Sequence, residues 1–186
     1  MTARDELREL LIERSVRLGK FTLASGAKSD YYIDARRTTM SAEGQRLVGQ
    51  VAYHAIREHG LRPTHVGGLT MGADPIAYAI AHVSALEGNV IDGFSVRKRA
   101  KEHGTGQRIE GGLPVDGQAL MVEDTMTTGR STLQAVEAVR ALGADLVGVL
   151  TLVDRSENAK SFYEAQGLPL IALYTGQELV EAARNR

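Results

Sequence analysis

Hydrophobic and polar positions along this chain alternate in blocks that predict helices separated by short buried strands. Apolar residues at helical spacing predict helices over 2–18, 41–60, 74–86 and 130–142. Short segments at 65–67, 91–96 and 120–122 are predicted to be strands, and a nearly continuous apolar run predicts a buried strand at 146–153. A capping box from Thr175 to Glu178 predicts a last helix. Such alternation is typical of an α/β protein with a parallel, Rossmann-like sheet flanked by helices on both faces.

The N-terminal pattern is less regular. The first helix is expected to begin after an N-cap at Thr2 and to end before Gly19, with Leu18 on its apolar face. The following stretch, 21–34, is rich in aromatic and turn residues.

Length and composition indicate one globular domain that spans 1–186, with 43% hydrophobic and 24% charged residues. A net charge of −1 implies no global attraction to nucleic acid or to an anionic membrane. The absence of cysteine excludes disulfides, thiolate catalysis and cysteine–zinc sites. The charged N-terminus lacks the apolar core of a signal peptide, and no apolar run reaches the ~20 residues that span a bilayer. We therefore expect a cytoplasmic protein.

Parallel sheets bind ligands at the carboxyl ends of their strands, so the chemistry is expected at 67–75, 97–113, 123–132 and 154–158. In the third segment the strand 120–122 runs into Glu123 and Asp124, and then into a loop of hydroxyls with one glycine. The free backbone amides, the hydroxyls and the start of the next helix suit a phosphate. The two carboxylates suit the hydroxyls of a sugar or a magnesium ion. Together they describe a ribose 5-phosphate, although a solvated strand end followed by a helix cap remains an alternative.

A second cluster of charge lies in the segment 97–108, which holds five Lys or Arg residues and one Glu in a protein of net charge −1. Gly104 and Gly106 lie within it. Cations on a loop that closes over a substrate would stabilise a departing pyrophosphate and exclude water. A solvated surface loop and a nucleic-acid patch are the alternatives for this segment alone.

The Glu-Asp pair followed by Thr-Thr-Gly-x-Ser, at 123–131, resembles the phosphoribosyl pyrophosphate (PRPP) motif of type I phosphoribosyltransferases. Arg-Lys-x-x-Lys-x-His-Gly at 97–104 resembles the catalytic loop of the orotate phosphoribosyltransferase family. Segment 21–32 resembles that family's base-binding segment, 68–75 its pyrophosphate loop, and 153–155 its strand end near orotate. These segments follow one another along the chain as they do in the family. The resemblance covers about 20–158.

The resemblance implies the type I phosphoribosyltransferase fold, with a small hood formed mainly by about 1–40 and part of the C-terminal region. It implies that orotate and PRPP give orotidine 5′-monophosphate and pyrophosphate in pyrimidine synthesis. Magnesium would be held mainly through PRPP and not directly by the protein. The working unit would be a homodimer in which lid residues reach PRPP across the interface, with no nucleic-acid or membrane partner.

The resemblance also assigns roles to single residues. Arg97, Lys101 and His103 would be catalytic residues of the lid, and Lys101 or His103 would supply a proton or only charge to the leaving group. Thr127, Arg155 and Lys28 would bind orotate. The residues expected to bind PRPP are Arg97, Lys98, Lys101, His103, Glu123, Asp124, Thr125, Met126, Thr127, Thr128, Gly129, Arg130 and Ser131.

Two positions depart from the family pattern. A lysine often precedes the Ser-Gly at 25–26, where this chain has Ala24, and Lys28 is the nearest cation. Many members also carry a lysine where this chain has Gly72. The alternative functions are transfer to another base, a PRPP-sensing regulatory protein, and a nucleotide-binding module without catalysis.

Overall fold

The computed structural model describes residues 1–22, 26, 28–99, 108–156 and 158–186, and these form a six-stranded sheet and a separate two-stranded hairpin. The helices are α1 (Ala3–Arg14), α2 (Arg36–Thr39), α3 (Ala42–Glu58), α4 (Asp74–Leu86), α5 (Arg130–Leu142), α6 (Ala159–Glu164) and α7 (Gly176–Arg184). The strands are β1 (Val16–Thr22), β2 (Lys28–Ile33), β3 (His65–Leu69), β4 (Asp92–Val96), β5 (Ile109–Glu110), β6 (Gln118–Met126), β7 (Asp145–Asp154) and β8 (Leu170–Thr175).

The order of strands in the large sheet places the site. The order is β5-β4-β3-β6-β7-β8, and every neighbouring pair is parallel except β4 and β5. The chain builds the sheet outward from β3 in one direction and from β6 in the other. The loops after β3 and β6 therefore diverge and leave a crevice between them, as expected at the switch point of a doubly wound sheet.

Strand β6 shows why the sheet needs helices on both faces. Leu120 and Val122 lie in the core cluster that includes α1, α3, α4 and α7, whereas Ala119 and Met121 lie in the cluster that includes α5. Successive strand residues point to opposite faces, so an unbroken apolar run requires apolar neighbours on both sides. This confirms the predicted fold class.

The N-terminal region differs from the sequence-based expectation. Thr2 caps α1, as predicted, and the structure adds a reciprocal capping box with Asp5, but the helix ends at Arg14. The buried Ser15 hydroxyl pairs with the Thr38 hydroxyl at 2.7 Å, and the next residues form β1, so Leu18 is a half-exposed strand residue. The predicted helix over 2–18 was therefore too long, because leucine spacing alone does not register a change to strand pairing.

Other regular elements were missed. The stretch 21–34 contributes to the β1–β2 hairpin, which is antiparallel with an irregularity between Leu18 and Phe21. Strand β8 extends the sheet beside β7, and the short helix α6 precedes it. In contrast, α4, α5 and the capping box of α7 lie where the sequence predicted them. No helix in the described ranges is long and apolar enough to cross a membrane.

Candidate active site

A cleft of about 410 Å³ lies at the carboxyl ends of β3 and β6. Its walls come from segments that are distant in sequence: 32–36, 69–72, Lys98, 123–125, Thr127, Ser131 and Arg155. Each strand end contributes its own chemistry, because parallel strands bring their carboxyl ends to one edge of the sheet. The cleft thus brings together residues from four of the segments that the sequence singled out.

The loop between β6 and α5 forms a cradle suited to a phosphate. Gly129 has φ of +69°, in the left-handed region that favours glycine. It is the N-cap of α5, no side chain caps that helix, and the first backbone bond of the turn runs from Leu133 N to Gly129 O at 2.9 Å. The backbone amides that precede Leu133 at the start of α5 therefore have no acceptor within the helix. Together with the positive end of the helix macrodipole and the exposed Thr127 and Ser131, they form an anion site.

The two carboxylates after β6 are buried to different extents and held by different donors. Glu123 is 8% exposed, and its Oε2 accepts from the Thr132 hydroxyl at 2.8 Å. Burial, opposed by that hydrogen bond and reinforced by Asp124, raises the pKa of Glu123 to about 8. Burial also raises the pKa of Asp124, against the hydrogen bond from the Thr125 amide at 2.8 Å and the attraction of Arg36. A ligand that donates hydrogen bonds or carries positive charge would stabilise the ionised form of both carboxyl groups.

Hydrogen bonds to Asp74 hold the loop after β3 in place. The Thr70 hydroxyl donates to Asp74 Oδ2 at 2.6 Å, and the Ser95 hydroxyl of β4 donates to Asp74 Oδ1 at 2.5 Å. The Thr70–Met71 peptide bond is cis. A Cβ built on Gly72 would lie 2.7 Å from Asp124 Oδ1, so the backbone of this loop closely approaches the carboxylate of β6.

Arg155, directly after β7, connects the cleft with the hairpin. Its guanidinium carbon lies 5.0 Å from the centroid of the Tyr31 ring in β2. Its backbone amide donates to Met126 O at 2.8 Å, and its buried Nε has no hydrogen-bond partner within the described residues. Such a site suits a planar anion that accepts from a guanidinium.

Several predicted site residues lie outside the walls of the cleft. Lys28 lines a separate depression on the hairpin with Lys20 and Phe21, and Arg97 lines a neighbouring depression while its Nε donates to Glu110 at 2.9 Å. Arg130 is exposed on the first turn of α5. Thr128 and Gly129 line an adjoining depression with Ser156 and Phe162. Lys101, His103 and Ala24 fall outside the described residues.

Two further residues have different environments from those that the sequence suggested. The Met126 side chain is 1% exposed in the core cluster of α5, which leaves only its backbone for a ligand. The Thr132 hydroxyl donates to Glu123 and so belongs to the support of the carboxylate instead of the phosphate cradle.

The sequence analysis missed residues that shape the site from elsewhere. Tyr163 of α6 is fully buried, and its hydroxyl donates to Gly129 O at 3.1 Å, which fixes the cradle. Arg36 lines the cleft beside Asp34. Neither residue lies in a motif. The hydrogen bond of Tyr163 joins two distant parts of the chain, and the entry of Arg36 into the cleft depends on the packing of α2, so no local spacing signalled either residue.

Comparisons with known proteins agree with this geometry. Residues 41–164 match the family model described as "Phosphoribosyl transferase domain". The chain is 48% identical to the orotate phosphoribosyltransferase of Corynebacterium glutamicum strain R, over 92% of this chain and 90% of that protein.

Solved structures give the same result. The orotate phosphoribosyltransferase of Mycobacterium tuberculosis H37Rv in complex with Fe(III) dicitrate superposes with a TM-score of 0.85 at 43% identity, covering 96% of this chain and 99% of that one. The mycobacterial enzyme in complex with PRPP superposes with a TM-score of 0.80 at 39% identity over the same shares.

A doubly wound sheet whose central strand ends in paired acids and a phosphate cradle defines a type I phosphoribosyltransferase, as the sequence predicted. The identity over nearly the whole length then narrows the class. The chain belongs to the orotate phosphoribosyltransferase family.

Proposed function

We propose that this protein transfers the 5-phosphoribosyl group of PRPP to orotate, which gives orotidine 5′-monophosphate and pyrophosphate for pyrimidine nucleotide synthesis. The observation that carries the proposal is the cleft itself. It combines the phosphate cradle before α5, the carboxylates of Glu123 and Asp124, and the guanidinium of Arg155. A phosphate, a sugar diol and a planar anion are the three recognition elements of this substrate pair.

Each wall of the cleft has a distinct role in this reaction. The amides and hydroxyls of 127–131 bind the 5-phosphate. Glu123 and Asp124 accept hydrogen bonds from the ribose hydroxyls, and the negative charge of Asp124 favours the positive charge that develops on the ribose ring. Arg155 meets the orotate carboxylate with a planar fork, and Thr127 contacts the base.

The bond changes require no nucleophile from the protein. A ring nitrogen of orotate forms the new bond to C1 of the ribose while the bond from C1 to the pyrophosphate oxygen breaks. The departing oxygen takes the electron pair, and the proton released from the ring nitrogen passes to the pyrophosphate or to water. The protein must supply positive charge at the departing oxygen. Lys98 lines the cleft and is suited to this task. We assign the same task to Arg97, Lys101 and His103 of the lid, while Lys28 stays a sequence-based prediction for orotate binding.

Magnesium fits the donor set of the cleft, because carboxylate and phosphate oxygens are hard ligands. Within the part of the chain that the structure describes, no group of three or more His, Asp or Glu side chains could hold a metal by itself. Phosphoribosyltransferases generally use magnesium with PRPP. We therefore propose that magnesium enters with PRPP, held mainly by the oxygens of that substrate, and neutralises part of its charge.

The working unit that we propose is a homodimer with lids exchanged between subunits. The side chain of Arg97 supports this, because it lines a depression beside the cleft of its own subunit and pairs with Glu110. A hybrid test follows. Mixing Lys101→Ala protomers with Asp124→Asn protomers would restore about a quarter of the wild-type activity if each site uses its partner's lid. No recovery above the two parent variants would show that each lid acts on its own subunit.

The reaction is tested by loss of the ultraviolet absorbance of orotate in the presence of PRPP and magnesium. Hypoxanthine, adenine and uracil serve as parallel acceptors. We expect consumption of orotate alone, and only with magnesium. Binding of PRPP in calorimetry without turnover of orotate would overturn the proposed reaction while retaining the phosphate cradle. A cytoplasmic location stays a prediction of the sequence.

A further inference from the structure

Arg36 brings a positive charge into the cleft from a direction that the motifs do not indicate. It is the first residue of α2, and its side chain lines the same cleft as Gly72, Lys98 and Asp124. Its Nε donates to Asp34 Oδ1 at 2.9 Å. The Asp34 carboxylate thus holds the Nε side of the Arg36 guanidinium, while part of the Arg36 side chain lines the cleft.

The hydrogen bonding of Arg36 leaves a fork available. Within the described residues, only Nε of this guanidinium has a hydrogen-bond partner, and the two terminal nitrogens have none. The hydrogen bond and charge of Asp34 raise the pKa of Arg36, and the charge of Asp124 adds to the effect. Arg36 therefore stays protonated next to the acids of β6. A guanidinium with two free terminal nitrogens matches the spacing of phosphate oxygens.

The part of the loop after β3 that lines the cleft, 69–72, supplies no side-chain cation. Gly72 has no side chain, and a Cβ there would already lie 2.7 Å from Asp124 Oδ1. A longer residue at 72 would displace that carboxylate before it reached the ligand. Arg155 is held against the Tyr31 ring. Among the described residues, Arg36 therefore adds to Lys98 and Arg155 a third cation that lines the cleft, and its charge acts on Asp124.

We propose that Arg36 binds the diphosphate group of PRPP, and inorganic pyrophosphate as the product, from the hood side of the cleft. The inference rests on the proposed function, which supplies the diphosphate. Two terminal N–H groups of Arg36 contact phosphate oxygens, while Asp34 sets the orientation of the guanidinium. Lys98 and the backbone of 70–72 bind the group from the other sides.

A different role for Arg36 would be to balance the charge of Asp34 and Asp124 without touching the ligand. The two roles differ in which ligand loses affinity. Pyrophosphate would occupy the part of the cleft next to Arg36, whereas orotidine 5′-monophosphate has no diphosphate and occupies the phosphate cradle, the carboxylates and the base site. A residue that only balances the carboxylates would change the binding of orotidine 5′-monophosphate, whose ribose meets them, at least as much as that of pyrophosphate.

The experiment titrates magnesium pyrophosphate and orotidine 5′-monophosphate separately into the full-length protein by calorimetry. The variant is Arg36→Gln, which keeps the length and polarity of the side chain. The matched control is Arg37→Gln, which removes the same charge from the next residue of α2, an exposed side chain that does not line the cleft. Thermal unfolding of each variant checks that the fold is retained.

We expect Arg36→Gln to weaken pyrophosphate binding by about tenfold or more and to change orotidine 5′-monophosphate binding by less than about twofold. Arg37→Gln should leave both within about twofold of the wild type. Equal loss of both ligands, loss of neither, or the same result for both variants would overturn the assignment. A wild-type protein that binds neither ligand would overturn the proposed function itself, so the two failures are distinct.

Discussion

Gly72→Ala separates the function of the cleft from the stability of the fold. The added Cβ would lie 2.7 Å from Asp124 Oδ1, about 0.7 Å closer than the 3.4 Å at which ordinary contact begins. The Asp124 carboxylate must move, because it lies at the end of a side chain, whereas the new Cβ at position 72 is attached directly to the backbone. Movement lengthens the hydrogen bond that Oδ1 accepts from the Thr125 amide at 2.8 Å. It also takes the acceptor away from the ribose hydroxyls.

The size of the effect follows from these contacts. Loss of a hydrogen bond to a charged group costs about 1.5–3 kcal/mol, so kcat/KM should fall roughly 10- to 100-fold. The backbone of Gly72 can accept alanine, since Gly72 is not among the glycines with positive φ. Alanine at a position without positive φ stabilises the fold by about 0.4–1 kcal/mol through the unfolded chain, which offsets part of the cost of moving the Asp124 carboxylate. We expect a small fall in Tm together with the larger loss of activity.

Initial rates at varied PRPP concentration and thermal unfolding of the same samples provide the assay. The double variant with Asp124→Asn completes a mutant cycle, in which Gly72→Ala should cost far less once Asp124 is already altered. Wild-type kcat/KM in Gly72→Ala, or fully additive effects in the cycle, would refute the reasoning that the alanine acts through Asp124.

Three further predictions concern the supports of the site. Tyr163→Phe should raise KM for PRPP several-fold with little change in kcat, since the phosphate cradle loses its hydrogen bond at Gly129 O. The control Tyr174→Phe removes a partly buried hydrogen bond from a tyrosine hydroxyl to Arg4 O at 2.6 Å and should leave KM for PRPP unchanged. Equal values of KM in the two variants would contradict the role of Tyr163. Burial raises the pKa of Glu123 from 4.5 to about 8, so the stability that its protonated form contributes is fully present below pH 4.5 and is lost as pH rises through 8. Denaturant titrations should show that the free energy of unfolding falls as pH rises through this window, by at most about 1.4 kcal/mol per pH unit from Glu123. Glu123→Gln should remove this pH dependence. An identical pH dependence in the variant would contradict the assignment to Glu123. Arg155→Lys should raise KM for orotate by about tenfold, because an ammonium lacks the planar fork, and KM for PRPP should stay close to the wild-type value; the reverse pattern in steady-state kinetics would assign Arg155 to the other substrate.

Local sequence predicted those parts of the protein whose signals are short-range. The sequence predicted the N-cap at Thr2, the capping box at Thr175, the helices α4 and α5 and the class of the fold, because a cap or a helical period is complete within a few residues. The β1–β2 hairpin and β8 were not readable in the same way. Their strands are defined by partners, and a half-exposed Leu18 looks like a helical leucine until its neighbour across the hairpin is known.

The candidate site likewise combines residues that the local sequence predicted with residues that only tertiary packing brings together. The acids and hydroxyls of 123–131 follow one strand, so the sequence by itself determined that a phosphate and a sugar could bind there. Only the tertiary structure decided that Thr132 supports Glu123, that Tyr163 fixes Gly129, and that Arg36 enters the cleft. Burial, which raises the pKa of Glu123, is likewise a property of packing on both faces of β6. Residue types set the available chemistry, while the distances between them arise only when the sheet brings separate strand ends to one edge.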